Sequence, residues 1–276
     1  MSFSVNTNLG AQIALQNLNA TNAELATTQS RINTGKKVAN VKDNGAIWAI
    51  AQGQRADIGA LGVVKQSLDR GISAVDVAIA AGETVSDLLL QLKEKALAAT
   101  DESLKTASRD ALNEDFKALR DQIASVTDNA EFNGVNLLVT SAPGFNALAN
   151  ADGSSTLTVA AEVLSLGSTN VTVATTTTIA TLTTANDALD AVEESITNVS
   201  AALARLGTKA KSLETHNTFV GKLIDTLEAG VGNLVDADLA KESAKLQALQ
   251  TKQQLGVQAL GIANQTPQLV LSLFRS

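Results

Sequence analysis

The chain has 276 residues, a net charge of −7, no Cys, one His, two Pro and only 3% aromatic residues. An acidic chain without a basic stripe leaves no electrostatic footprint for nucleic acid, and no apolar run approaches the ~20 residues of a membrane span. Absent Cys removes disulfides, thiolate metal sites and thiol nucleophiles, and a lone His removes most imidazole clusters and triads, so no cofactor or metal is expected.

The chain opens "MSFSVNTNLG", without a charged segment followed by an apolar core. No cleavable secretory signal is expected, and export would need a route that removes no peptide. In the first helical stretch Ala11, Leu18, Leu25 and Ile32 recur every seven residues, and Ala14, Thr21 and Thr28 follow the first three by three. That is a coiled-coil seam with small residues in alternate positions, stopped at Gly35. Asp43 in "VKDNG" reads as a helix cap or turn residue, and Trp48 as a packing residue between helices.

A second helix is predicted over 57–99. Leu61, Leu68, Val75, Leu89 and Ala96 keep seven-residue register, with Gly82 in the missing step. Such a rod is about 65 Å long, more than a globular domain needs. "TDES" at 100–103 breaks it, and a third helix follows with Leu104, Ala111, Leu112, Leu119, Ile123 and Val126 as its stripe. "DNAEFNGVNLL" ends the helices with turn residues. From 137 to 184 the stretches "SSTLTVAAEVLSL" and "STNVTVATTTTIATL" are rich in Thr and Val. They are read as the strands of a β-hairpin region, with "LGSTN" turning between them.

The helical pattern returns at Asp187. Val192, Val199, Leu206, Leu213, Val220, Leu227 and Leu234 share one position of the repeat; Leu189, Ile196, Leu203, Ala210, Ile224 and Val231 share the other, broken by Asn217. "VDADLAKE" is a joint, and a last helix starts near Leu239. At ~100° per residue, Leu239, Leu246, Leu249, Val257 and Leu260 fall on one arc, and Ala244, Ala248, Leu255 and Ile262 on another. One stripe suits the chain's own first helix; the second needs a neighbour, and other copies of the chain are the expected source. The terminal run Leu269, Val270, Leu271, Leu273 and Phe274 is apolar where termini are usually polar. Copies are expected to cover it too. The fold class expected is mainly α: long antiparallel coiled-coil helices from both termini plus a small β-hairpin region in the middle.

No nucleophile elbow, phosphate loop or zinc-helix motif appears, and the chain is not expected to be an enzyme. His216 in "LETHNTF" reads as a surface or seam residue, and Glu193–Glu194 and Asp236/Asp238 as helix-surface or cap charges. The Thr-rich run offers Thr175, Thr176, Thr177, Thr178 and Thr181 as candidate O-glycan acceptors.

The stretch "SRINTGKKVANVKDNGAIWAIAQ" resembles the N-terminal signature of bacterial flagellins. Gly35, Lys37, Lys42, Asp43, Ala46, Ala49, Ile50 and Ala51 match in identity or charge; Asn44, Ile47 and Trp48 depart. "EFNGVNLL", with Phe132, Asn133 and Gly134, is similar to that family's turn. "DADLAKESAKL" and "GIANQTPQLVLSLFRS", with Asn264, Gln265 and Pro267, resemble its C-terminal signature. The resemblance implies a short flagellin without large outer domains. Residues 1–35 are then a filament-core helix pairing with 239–276; 36–136 are outer-layer helices pairing with the returning helix 185–238; and 137–184 form the hairpin and loop region.

The same resemblance implies a secreted subunit of an extracellular flagellar filament serving swimming motility. Its partners are then copies of itself, alone or with other flagellins, a secretion chaperone and the type III export apparatus, and the hook-associated and cap proteins. The expected polymerisation seam comprises Leu18, Leu25, Ile32, Leu246, Leu249, Val257, Leu260, Leu269, Val270, Leu273 and Phe274. Pro267 is expected to start a helical turn with Thr266 as cap. An element sensed by a vertebrate innate receptor in some flagellins is degenerate here, as Gln91, Lys93, Glu94 and Lys95, so weak or absent sensing is expected. The alternative is a hook–filament junction protein, which shares helical ends with flagellins.

Overall fold

The structure, a computed structural model, describes residues 7–140 and 142–273, the side chains of 266–273 excepted. Five helices and one small sheet appear in the order α1 (Leu9–Thr34), α2 (Gly45–Ala99), α3 (Thr106–Asp128), β1 (Phe145–Leu148), β2 (Thr156–Val159), α4 (Leu182–Val235) and α5 (Leu239–Leu273).

Local chemistry sets most of these bounds. Asn8 caps α1, its Oδ1 accepting from the Ala11 amide at 3.1 Å, and Gly35 ends it at φ +69°, where a side chain is disfavoured. Asn44 caps α2 by accepting from the Ile47 amide at 3.1 Å, so α2 begins well before Asp57. The stretch between continues the seven-residue register through Ile47, Ala51 and Gln54, with Ala51 buried, but a polar residue and a small one at those positions leave no apolar signal to read. Asp43 is a turn residue: its carboxylate accepts from the amides of Ala39 and Asn40. Thr181 and Thr184 cap the start of α4 reciprocally, which moves that start ahead of Asp187. α5 passes through Thr266 and Pro267 without restarting there. Asp238 caps its first turn by accepting from the amides of Ala240 and Lys241.

The chain forms two compact units. One runs from Asp57 to Asp225. Its core is built from Leu68, Val75, Leu89 and Leu92 of α2, Phe116 and Ile123 of α3, and Val192, Val199, Leu206 and Leu213 of α4, all buried. Of the expected α3 stripe, Ile123 is buried, Leu112 and Leu119 are half-buried, and Ala111 faces solvent. Asn113 and Arg120 are buried on the same face.

The sheet differs from the expected one. β2 pairs antiparallel with β1, Phe145 opposite Val159 and Leu148 opposite Thr156, and the Thr/Val run after residue 168 is not a strand. Turn chemistry explains the pairing: Gly144 stands at φ +78°, and the polar stretch 150–155 folds β2 back onto β1. The later run is held to the helices by polar side chains instead of a ladder. The Thr172 amide donates to Ser195 Oγ at 2.9 Å, the Ile179 amide to Asn113 Oδ1 at 2.9 Å, and Arg120 Nη1 to the Thr177 carbonyl at 2.9 Å. The hairpin is seated by three contacts. The Leu148 amide donates to Ser67 Oγ, His216 Nε2 lies 2.8 Å from the Ala149 carbonyl, and the Phe145 ring lies against Gly71.

The second unit comprises the residues up to Ala56 and from Thr226 onward. Its joints are stitched by backbone: the Lys37 and Val38 amides donate to the Val235 carbonyl, and the Ala237 amide to the Gly35 carbonyl at 2.9 Å. These bonds hold the end of α1 beside the start of α5 and set up the packing of those two helices.

Candidate functional site

The α1–α5 pair is the candidate site because the expected assembly residues lie on it. On α1 the covered face is Ala11, Ala14, Leu18, Thr21, Leu25, Thr28 and Ile32, with Thr21 and Thr28 buried and the others half-buried. On α5 it is Glu242, Leu246, Leu249, Gln253, Gly256, Leu260 and Ala263. Leu249 is buried. Small residues let the axes approach: a Cβ on Gly256 would stand 3.3 Å from Leu18 Cδ1. The Thr21 hydroxyl donates back to the Asn17 carbonyl, which makes a buried Thr tolerable.

Polar contacts fix the antiparallel register. Arg31 Nη1 pairs with Glu242 Oε1 at 3.1 Å, Gln253 Nε2 donates to Asn22 Oδ1 at 2.7 Å, and Asn8 Nδ2 donates to the Ala263 carbonyl at 2.7 Å.

Two expected members of the α5 stripe are elsewhere. Val257 is 56% exposed and Leu239 is 50% exposed; the covered stripe runs through Gln253 and Gly256 instead. For Val257 the cause is the period: a helix wound around a partner repeats every 3.5 residues, and an arc drawn at 100° per residue drifts off that seam. Leu239 keeps the seven-residue register with Leu246 and is exposed as the first residue of α5. The pair leaves Leu9, Ile13 and Leu15 of α1 and Leu239, Leu255 and Val257 of α5 uncovered, each 48–69% exposed. The expected tail members Leu269, Val270, Leu273 and Phe274 lie outside the residues whose side chains are described.

The motif residues sit at joints and turns. Gly35 ends α1. The Lys42 amide donates to Asn40 Oδ1 within the turn that Asp43 closes. Phe132 and Val135 pair with each other around Asn133 at φ +50° and Gly134 at φ +82°. Two successive positive φ angles define a type I′ turn, for which Asn-Gly is the favoured pair. Asn264 and Gln265 are exposed. Pro267 lies within the backbone of α5.

The remaining candidates are dispersed. Thr175, Thr176 and Thr181 are exposed, while Thr177 and Thr178 are half-buried; Thr177 Oγ1 accepts from the Ala174 amide. Gln91 and Glu94 are exposed, Lys93 pairs with Glu193 at 2.9 Å, and Lys95 with Asp115 at 2.6 Å.

An open hollow of about 420 Å³ is lined by Ala160, Glu162, Ala204, Arg205, Leu206, Thr208 and Lys209. Its carboxylate and guanidinium are spent on each other, at 2.7 and 2.6 Å. The hydrogen bonds that Arg205 donates to Glu162 raise its pKa above the ordinary value. Among the described residues no group of three or more His, Cys, Asp or Glu side chains is placed to hold a metal ion, and no helix is long and apolar enough to cross a membrane.

Comparison with known proteins agrees with this arrangement. Residues 5–142 match the family model described as the bacterial flagellin N-terminal helical region, and residues 189–274 that of the bacterial flagellin C-terminal helical region. Flagellin FljK of Caulobacter vibrioides is 58% identical over 273 residues, covering 99% of this chain and 98% of that protein. Flagellin FljM of the same organism is 57% identical over 272 residues, with the same coverage. A putative flagellar hook-associated protein from Vibrio parahaemolyticus shares the fold at a TM-score of 0.54 and 12% identity, over 70% of this chain and all of that one. Two family regions in the correct order, on the two helical ends that the structure packs together, place this chain in the bacterial flagellin family.

Proposed function

We infer that the chain is a structural subunit that polymerises into the helical filament of the bacterial flagellum. The observation that carries this is the apolar surface that the α1–α5 pair leaves uncovered. The pair's inner seam packs within the subunit, yet Leu9, Ile13, Leu15, Leu239, Leu255 and Val257 stay 48–69% exposed. Covering the part of each such side chain still exposed contributes about 1 kcal/mol, roughly half of what burial from full exposure gives. Copies of the same chain meeting head to tail cover these positions and grow an open helix rather than a closed ring. The likeness to a hook-associated protein concerns the fold alone and does not favour the junction alternative.

The finer proposals follow from the same reading. The subunit is exported through the type III apparatus, with a chaperone over the C-terminal segment and hook-associated and cap proteins at the filament's ends. Its working location is the extracellular filament, alone or mixed with other flagellins. Residues 1–35 and 239–276 supply the filament core. Exposed Thr175, Thr176 and Thr181 are the accessible glycan acceptors of the Thr run, and intact-mass measurement of native material tests that assignment.

The central test is a deletion of residues 268–276. The truncated chain is expected to retain its folded middle, read by circular dichroism, and to form no filaments when seeded. Normal filaments in electron micrographs of that chain defeat the reading.

A further inference from the structure

Of the two prolines, Pro143 and Pro267, the second lies inside α5. A helical proline has no amide hydrogen, so the carbonyl four residues earlier loses its partner. Here that carbonyl belongs to Ala263, and it is the one that accepts from Asn8 Nδ2 at 2.7 Å. The other end of the same carboxamide caps α1, Oδ1 accepting from the Ala11 amide at 3.1 Å. The approach is close: Gly10, in the first turn of α1, presents a Cα whose added Cβ would lie 4.0 Å from Ala263 Cβ.

We propose that Asn8 and Pro267 form a register lock: Pro267 frees one carbonyl of α5, and Asn8 recognises it while starting α1. The other interior carbonyls of α5 are engaged by amides of their own helix. A slide of α1 along α5 by one heptad therefore offers Asn8 Nδ2 only a carbonyl shared with an amide of its own helix, a weaker acceptor than a free one, and leaves the Ala263 carbonyl without its partner. The apolar seam discriminates poorly between such slides, because its contacts on α5 include Gly256, Ala263 and Gln253. The lock supplies the discrimination at the far end of the pair, opposite the stitched joint at Gly35 and Val235. Asp in place of Asn keeps the cap and lacks the donor; Ser is too short to reach both groups. The lock is intramolecular and rests on the α1–α5 pairing, not on polymerisation.

The test is a double-mutant cycle on the full-length chain: native, Asn8→Asp, Pro267→Ala, and both. Asn8→Asp replaces the donor by a carboxylate oxygen while keeping the cap acceptor, its added charge being common to both backgrounds of the cycle, and Pro267→Ala gives the Ala263 carbonyl an amide of its own. Backbone amide exchange is read by mass spectrometry in the soluble chain. It is also read with each variant, isotopically labelled, as a minority within filaments of native chain, so that a variant unable to assemble alone still reports. Asn8→Asp is expected to accelerate exchange in residues 9–14 and 258–265 by about five- to tenfold with Pro267 present, the effect of one net hydrogen bond, and by less than about twofold in the Pro267→Ala background. Equal acceleration in both backgrounds, or none in either preparation, overturns the lock. Failure of the native chain to polymerise overturns the functional reading instead, and the soluble-chain comparison then decides the lock.

Discussion

Two glycines, Gly71 of α2 and Gly144 before β1, illustrate how single positions hold the fold. A Cβ on Gly71 would stand 2.6 Å from Phe145 Cε1 and 3.1 Å from its Cδ1, so the residue keeps the ring, and with it β1, against α2. Gly71→Ala is expected to cost about 1–3 kcal/mol through overpacking, offset by roughly 1 kcal/mol of helix propensity. Gly144→Ala has no such offset, because φ is +78° and the Val159 carbonyl would lie 2.6 Å from the new carbon. The second substitution is therefore expected to lower the melting temperature more than the first; the reverse order in thermal unfolding contradicts this account. Gly71 carries no mark in the sequence. Its role depends on a ring 74 positions away (145 − 71), whereas Asn133-Gly134 announces its turn locally.

Among elements, α5 separates two kinds of apolar residue. Leu249 is 5% exposed, in the seam with α1, and Val257 is 56% exposed, on the outer side. Leu249→Ala is expected to destabilise the α1–α5 pair by about 2–5 kcal/mol, as buried truncations do. Val257→Gln is expected to leave the pair's amide protection unchanged and to slow seeded filament growth. Filaments of the Val257→Gln chain growing at the native rate would remove that residue from the subunit contacts. The α1 seam was legible because seven-residue spacing survives supercoiling. The α5 seam was legible only in part, at Leu246, Leu249 and Leu260, since Gln253 and Gly256 are not apolar signals. The Thr run misled for a related reason: Thr and Val favour strands, but polar groups on α3 and α4 captured its backbone first.

At the scale of the whole molecule, charge opposes assembly while apolar surface drives it. Each copy carries a net charge of −7, and like-charged subunits repel over about 10 Å at 0.1 M salt. Seeded growth is therefore expected to accelerate between low and moderate ionic strength, followed by light scattering. A rate that falls with added salt points instead to attractive ion pairs across the subunit contact. Polymerisation is also expected to be cooperative, because ordering backbone costs about 1–2 kcal/mol per residue and several contacts must offset it together.

The sequence by itself determined what depends on neighbours along the chain: helical ends and middle, the heptad seam of α1, the Asn-Gly turn, and the family motifs at the joints. The tertiary structure alone decided what depends on partners far apart. It settled which face of α5 meets α1, which strand pairs with β2, how the Thr run is held, and why a helix tolerates Pro267. The division has one cause. Periodicity and turn angles are local properties of the backbone, while a buried polar group takes whichever partner the packed chain brings within hydrogen-bond reach.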